Sequence, residues 1–85
     1  MIVSSKNNVS AFTVRFEGDE LCVVLNDSRE IRVRPDRISW LKWLADATLA
    51  QRSKWSIEPG GFAIYWEELD DGVEVSHLLA SQPLG

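Results

Sequence analysis

From Ala11 to Arg34 the side chains alternate with a period of two, and two short polar breaks divide the stretch into three. Period two marks a strand whose two faces meet different surroundings. Breaks this short leave no room for a crossover helix, so consecutive strands must pair antiparallel. In the first strand Phe12, Val14 and Phe16 fall on one side and Thr13, Arg15 and Glu17 on the other. Gly18-Asp19 turns the chain into Leu21-Cys22-Val23-Val24-Leu25, which is apolar on both faces and is therefore central in the sheet or covered on its second face. Asn26-Asp27-Ser28 makes the next turn, since Asn and Asp bond their own backbone and tolerate left-handed geometry. The third strand runs from Arg29 to Arg34, with Ile31 and Val33 inward and Glu30, Arg32 and Arg34 outward, until Pro35, which has no N–H to donate, ends it.

The period then changes. Trp40, Leu41, Leu44, Ala45 and Ala47 recur at three- and four-residue spacing, which predicts a main helix over 39–47 with Ser39 as its N-cap. Thr48-Leu49-Ala50-Gln51 fits a capping box, so a second, short helix starts there and runs to about Lys54. Trp55 and Ile57, then Phe62, Ile64 and Trp66, alternate around Pro59-Gly60-Gly61 as a second hairpin with its tip at the glycine pair. Asp70-Asp71-Gly72 turns again, Val73 and Val75 are in strand register, and Ser76 caps a last turn carrying Leu78 and Leu79. The fold class is α+β: an N-terminal three-stranded antiparallel meander, one main helix plus a short helix, then a C-terminal hairpin and a short strand or helical turn. Residues 1–85 form a single domain, with 1–9 and 81–85 expected to fray.

A domain of this length buries only about 60 to 65% of the surface of its unfolded chain, so its stability margin is thin and its four Trp rings matter. One cysteine, Cys22, allows no internal disulfide, and the N-terminal residues hold no apolar leader segment; a reducing, cytoplasmic setting is expected, with no membrane association. The net charge of −4 hides an asymmetry. Residues 1–54 hold all nine Lys and Arg against seven acids, whereas residues 55–85 hold the other six acids and no base.

The groups able to do chemistry are few. Glu67, Glu68, Asp70, Asp71 and Glu74 with His77 are the nearest approach to a site, but their spacing is not that of a calcium loop, and a solvated turn accounts for them. His77 is the only histidine and Cys22 lies mid-strand, so neither a zinc site nor a His-activated nucleophile is assembled. Gly60-Gly61 is not followed by the helix and Lys of a phosphate loop. The chain is therefore expected to be non-enzymatic, with no metal and no cofactor. Arg32, Arg34, Arg37 and Lys42 cluster near Trp40 and Trp43, a pattern that can bind single-stranded nucleic acid; the competing expectation, favoured by a pI near 4.8, is that Arg32 and Arg34 pair with acids from residues 67 to 74. Trp40 and Trp43 lie three apart on a short helix that cannot easily bury both beside Leu41 and Leu44. Either both rings pack inside or one is exposed, and an exposed Trp beside Arg is typical of a binding hot spot. Arg32, Arg34, Arg37, Trp40 and Trp43 are thus the candidate surface for an unknown protein partner or a second copy of the chain. Nucleic-acid binding is the alternative.

Ala47-Thr48 followed by Arg52 and Trp55, then Gly61-Phe62-Ala63-Ile64-Tyr65-Trp66 and Leu69-Asp70-Asp71-Gly72-Val73-Glu74-Val75 with Leu78-Leu79, resembles the bacterial domain-of-unknown-function family 2442 in order and spacing. The three-stranded N-terminal meander also looks like that family, so the resemblance covers nearly the whole domain. It implies structural roles for Arg52, Trp55, Gly61, Trp66, Asp70 and Leu78. Three positions depart from the family pattern: Ala63 stands for a Gly, Glu67 for the Pro after Trp66, and Gly72 for an acid, which weakens any metal-site reading of the Asp70 loop. The resemblance further implies a small accessory or antitoxin-like role. Some members are similar to chains that end in a helix-turn-helix; a chain ending at Gly85 leaves no room for one, so a DNA-binding module is expected to come from elsewhere.

Overall fold

The computed structural model describes residues 9–81, in which the alternating segments build two three-stranded antiparallel sheets around one core. The first contains β1 (Ala11–Glu17), β2 (Glu20–Leu25) and β3 (Glu30–Val33) in sequence order. The second contains β4 (Trp55–Ile57), β5 (Ala63–Trp66) and β6 (Asp71–Glu74), also in sequence order. Between them lie a 3₁₀ turn at Pro35–Arg37, a second at Ser39–Leu41, α1 (Lys42–Ala45) and α2 (Leu49–Arg52); α3 (Val75–Ala80) follows β6. The expected fraying of the termini falls mostly on residues outside those described. Among the described residues no helix is long and apolar enough to cross a membrane.

The β1–β2 register explains one departure from the alternation. Ala11 pairs with Leu25, but Thr13 pairs with Val24, so Phe12 is an extra residue, a bulge. The bulge turns Ala11 inward beside Val14 and throws Phe12 outward, where it is 73% exposed. Phe12 is therefore not part of the inward set with Val14. Strand β2 is central and buried from Leu21 to Val23. On its outer face Cys22 sits between its cross-strand neighbours Arg15 and Arg32, with no further layer over it among the described residues. Arg15 is held by Glu17 and Glu30, and Arg32 by Glu17, Glu20 and Glu30, so ion-paired long side chains flank a fully buried Cys22. Burial pushes the Cys22 thiol above its ordinary range. A chromogenic disulfide reagent is expected to leave the native thiol untouched and to react as soon as urea unfolds the chain. Reaction of the native protein at the unfolded rate would mean the thiol is open to the reagent.

The stretch predicted as one helix over 39–47 is a 3₁₀ turn followed by a single α turn, with the break at Leu41 (φ −114°, ψ 13°). Ser39 caps nothing. The carbonyl of Trp40 accepts the indole N–H of Trp43 at 3.0 Å. The break lets Leu41 and Leu44, three apart, both reach full burial while Trp40 turns outward. The capping box of α2 forms as its sequence requires: the Gln51 N–H donates to Thr48 Oγ1 (3.1 Å) and the Thr48 N–H to Gln51 Oε1 (3.0 Å). In α3 the helix begins at Val75 and Ser76 provides no cap.

Helices of one turn cannot stand on backbone propensity. Arg52 holds them. Its side chain reaches back to the end of α1, donating to the carbonyls of Leu44 (Nε, 3.3 Å), which also accepts the Ala47 N–H, and Ala45 (Nη2, 2.8 Å), in the turn where a helix leaves carbonyls open. The guanidinium also lies 5.2 Å from the centre of the Phe16 ring and 3.7 Å from Asp19 in the β1–β2 turn. Only 8% of Arg52 is exposed. Its own carbonyl accepts the indole N–H of the fully buried Trp66 at 2.9 Å, linking β5 to α2. Trp55 faces Trp66 across the β4–β5 ladder, and Leu78 packs fully buried from α3. The two sheets meet at Gly61, whose carbonyl accepts the Ala11 N–H at 2.7 Å. Gly61 has φ +77°, and a Cβ there would meet Ser10 Cβ at 2.7 Å, so this position takes only glycine.

Candidate functional site

The basic and aromatic residues singled out in the sequence do not share one surface. Arg32 lies on the outer face of the first sheet, ion-paired to Glu17 (2.8 Å), Glu20 (2.7 Å) and Glu30 (3.2 Å). Arg34 grips Asp36 with two bonds, Nε to Oδ1 at 3.1 Å and Nη2 to Oδ2 at 2.9 Å. Neither pairs with residues 67 to 74, as had been expected from the charge balance. The acids nearest in sequence, on adjacent strands and in the following turn, reach them first. Hydrogen bonds from Arg15 and then Arg32 hold the Glu17 carboxyl below its ordinary range, and those from Arg34 do the same for Asp36. Arg37 and Lys42 are exposed and make no ion pair with another described residue.

The two tryptophans divide. Trp43 turns inward, half-buried, and meets Trp66 edge to face at 5.8 Å. Trp40 turns outward, 43% exposed, with its ring edge to face against His77 of α3 at 6.1 Å. Trp40 forms a wall shared by two surface grooves. One, about 480 Å³, is bounded by Trp40, His77, Ala80 and Ser81. The other, about 370 Å³, continues over β5 and β6 past Ala63, Tyr65 and Gly72 and is edged by Glu58 and Glu74. Gly72 is close-packed under it: a Cβ there would meet the Ile64 carbonyl at 2.6 Å.

Polar groups around these grooves are arranged locally. Asp70, in the left-handed conformation (φ 51°), accepts the Tyr65 hydroxyl at 2.6 Å, which raises the Tyr65 hydroxyl above its ordinary range. Asp71 accepts the Gly72 N–H at 2.8 Å. His77 Nε2 lies 3.7 Å from Glu74 Oε1. Among the described residues no three His, Cys, Asp or Glu side chains are placed to hold a metal ion. Sequence reasoning raised Trp40 but not its meeting with His77 or the roles of Tyr65, Glu58 and Glu74 as groove walls. The only sequence signal was the crowding of two Trp on one short helix.

A family model described as "Protein of unknown function (DUF2442)" matches residues 11–83. Among solved structures, the chain is similar to an uncharacterized protein from Chromobacterium violaceum determined by solution NMR, at 26% identity and TM-score 0.70, covering 84% of this chain and 64% of that one. The chain thus spans somewhat less than two thirds of that protein's length. It shares the fold of a protein of unknown function from Rhodospirillum rubrum, whose crystal structure matches with TM-score 0.73 at 22% identity over 85% of this chain and 86% of that one. Comparison with curated proteins returns no match.

Proposed function

The chain belongs to the DUF2442 family, and from that footing we propose that it is a non-enzymatic accessory domain that docks a protein partner through the surface around Trp40. The observation that carries this reading is the outward Trp40 ring, 43% exposed and grooved on both sides, in a domain whose other three tryptophans are buried or half-buried. A large amphipathic ring held by an edge contact offers contact area at little cost in side-chain entropy, which is why Trp dominates binding hot spots. The non-catalytic reading is supported by the state of the reactive groups: the thiol is buried, and the imidazole meets an indole edge to face. Arg32 and Arg34, already neutralised by acids, add little to a nucleic-acid contact.

Trp40→Ala is expected to leave the fold intact, because the ring is outside the core, and to weaken partner binding by roughly thirty-fold, about 2 kcal/mol. Thermal unfolding checks the first expectation. Light scattering and affinity capture from the source cell, for wild type and variant side by side, check the second. A Trp40→Ala protein that holds its partner as tightly as wild type would dismiss this surface.

A further inference from the structure

We propose that the occupant of the Trp40 groove is a basic protein segment, which inserts an arginine or lysine side chain between the Trp40 ring and the carboxylates of Glu58 and Glu74. This names the partner class for the docking surface above and rests on that reading. Trp40, Tyr65, Glu58 and Glu74 line one cavity, so two aromatic and two acidic residues border the same space. A cation over an indole face, with its head against carboxylates, satisfies both kinds of wall. The apolar continuation past Ala80 takes the hydrocarbon stem or a neighbouring apolar residue of the same segment.

Charge complementarity points to an unlike partner and away from a second copy. In the described part of the chain Arg15, Arg29, Arg32, Arg34, Arg52 and Lys54 are each committed to an acid of the same molecule, which leaves Arg37 and Lys42 as the cations without an ion pair. Of the six acids after residue 54, Glu68 alone pairs with a lysine or arginine among the described residues. Among the described residues Glu74 has only His77 at 3.7 Å, and Glu58 has no ion-paired cation. Among its described residues a second copy can offer this groove only Arg37 and Lys42, which flank its own Trp40 in sequence, whereas a basic partner brings fresh cations to carboxylates that the described part of the fold leaves without a lysine or arginine.

The test selects random peptides displayed on phage against the immobilised full-length protein and measures the enriched peptides by calorimetry on wild type, Trp40→Ala and the double variant Glu58→Gln/Glu74→Gln. Both acids are exposed, so the double variant folds; its thermal unfolding verifies this. The expected result is enrichment of Arg or Lys next to an apolar residue, with affinity lost in Trp40→Ala. Affinity falls about tenfold in the double variant and falls again on adding salt. Peptides that need Trp40 but carry no cation, or that bind the double variant equally well, overturn the cationic occupant and leave the docking surface standing. Recovery of no peptide whose binding depends on Trp40 overturns both.

Discussion

Arg52→Met is expected to destabilise the protein by about 3 kcal/mol, seen in urea as a lower midpoint with an unchanged slope. Methionine keeps the apolar stem but removes every donor. The Ala45 carbonyl then ends α1 without its donor, the Leu44 carbonyl keeps only backbone N–H partners such as that of Ala47, the Phe16 ring loses its cation, and Asp19 loses its charge partner. A domain this small has a total stability of only about 4 to 13 kcal/mol, so the loss leaves a marginal fold. Arg52→Lys is expected to recover little, since an ammonium cannot reproduce the fork that spans two successive carbonyls. A loss below about 1 kcal/mol in Arg52→Met would mean that the one-turn helices hold without it.

Trp66→Ala is expected to cost more, about 3 to 5 kcal/mol, because it opens a cavity in the core at the end of β5, where the ring is fully buried. Trp66→Phe separates the two parts of that cost. It retains most of the ring but orphans the Arg52 carbonyl, for an expected loss of about 1 to 3 kcal/mol. Combined with Arg52→Met it should show coupling, since both substitutions loosen Arg52, which ties β5 to α1 through its carbonyl and its side chain. Strict additivity in that double-mutant cycle would show the two contacts to be independent.

The meander, the two-residue turn at Gly18-Asp19, the capping box at Thr48 and the second hairpin were all legible in the sequence, because each rests on a local rule: period two, turn chemistry, or a four-residue signature. Where local rules misled, a tertiary demand had overridden them. Phe12 has the right parity for the core, but a bulged register moves it out. Residues 39–47 have helical spacing, yet the chain breaks at Leu41 as Leu41 and Leu44 bury fully and Trp40 swings outward. The partners of Arg32 and Arg34 were misjudged because net charge by segment says nothing about which acids lie one strand away. The groove was legible only as a crowded pair of tryptophans; its other walls come from β5, β6 and α3, and only the folded chain brings them to Trp40.

The commitment of the first sheet's arginines to the first sheet's own glutamates and aspartates reaches beyond the strands it covers. One half of the molecule is electrically quiet, and the other carries nearly all of the uncompensated negative charge. At physiological salt such a field extends about 8 Å beyond the surface. An approaching basic protein therefore feels a torque before it touches anything, and the second sheet turns to meet it first. Orientation at encounter is set by what the first sheet hides as much as by what the second displays.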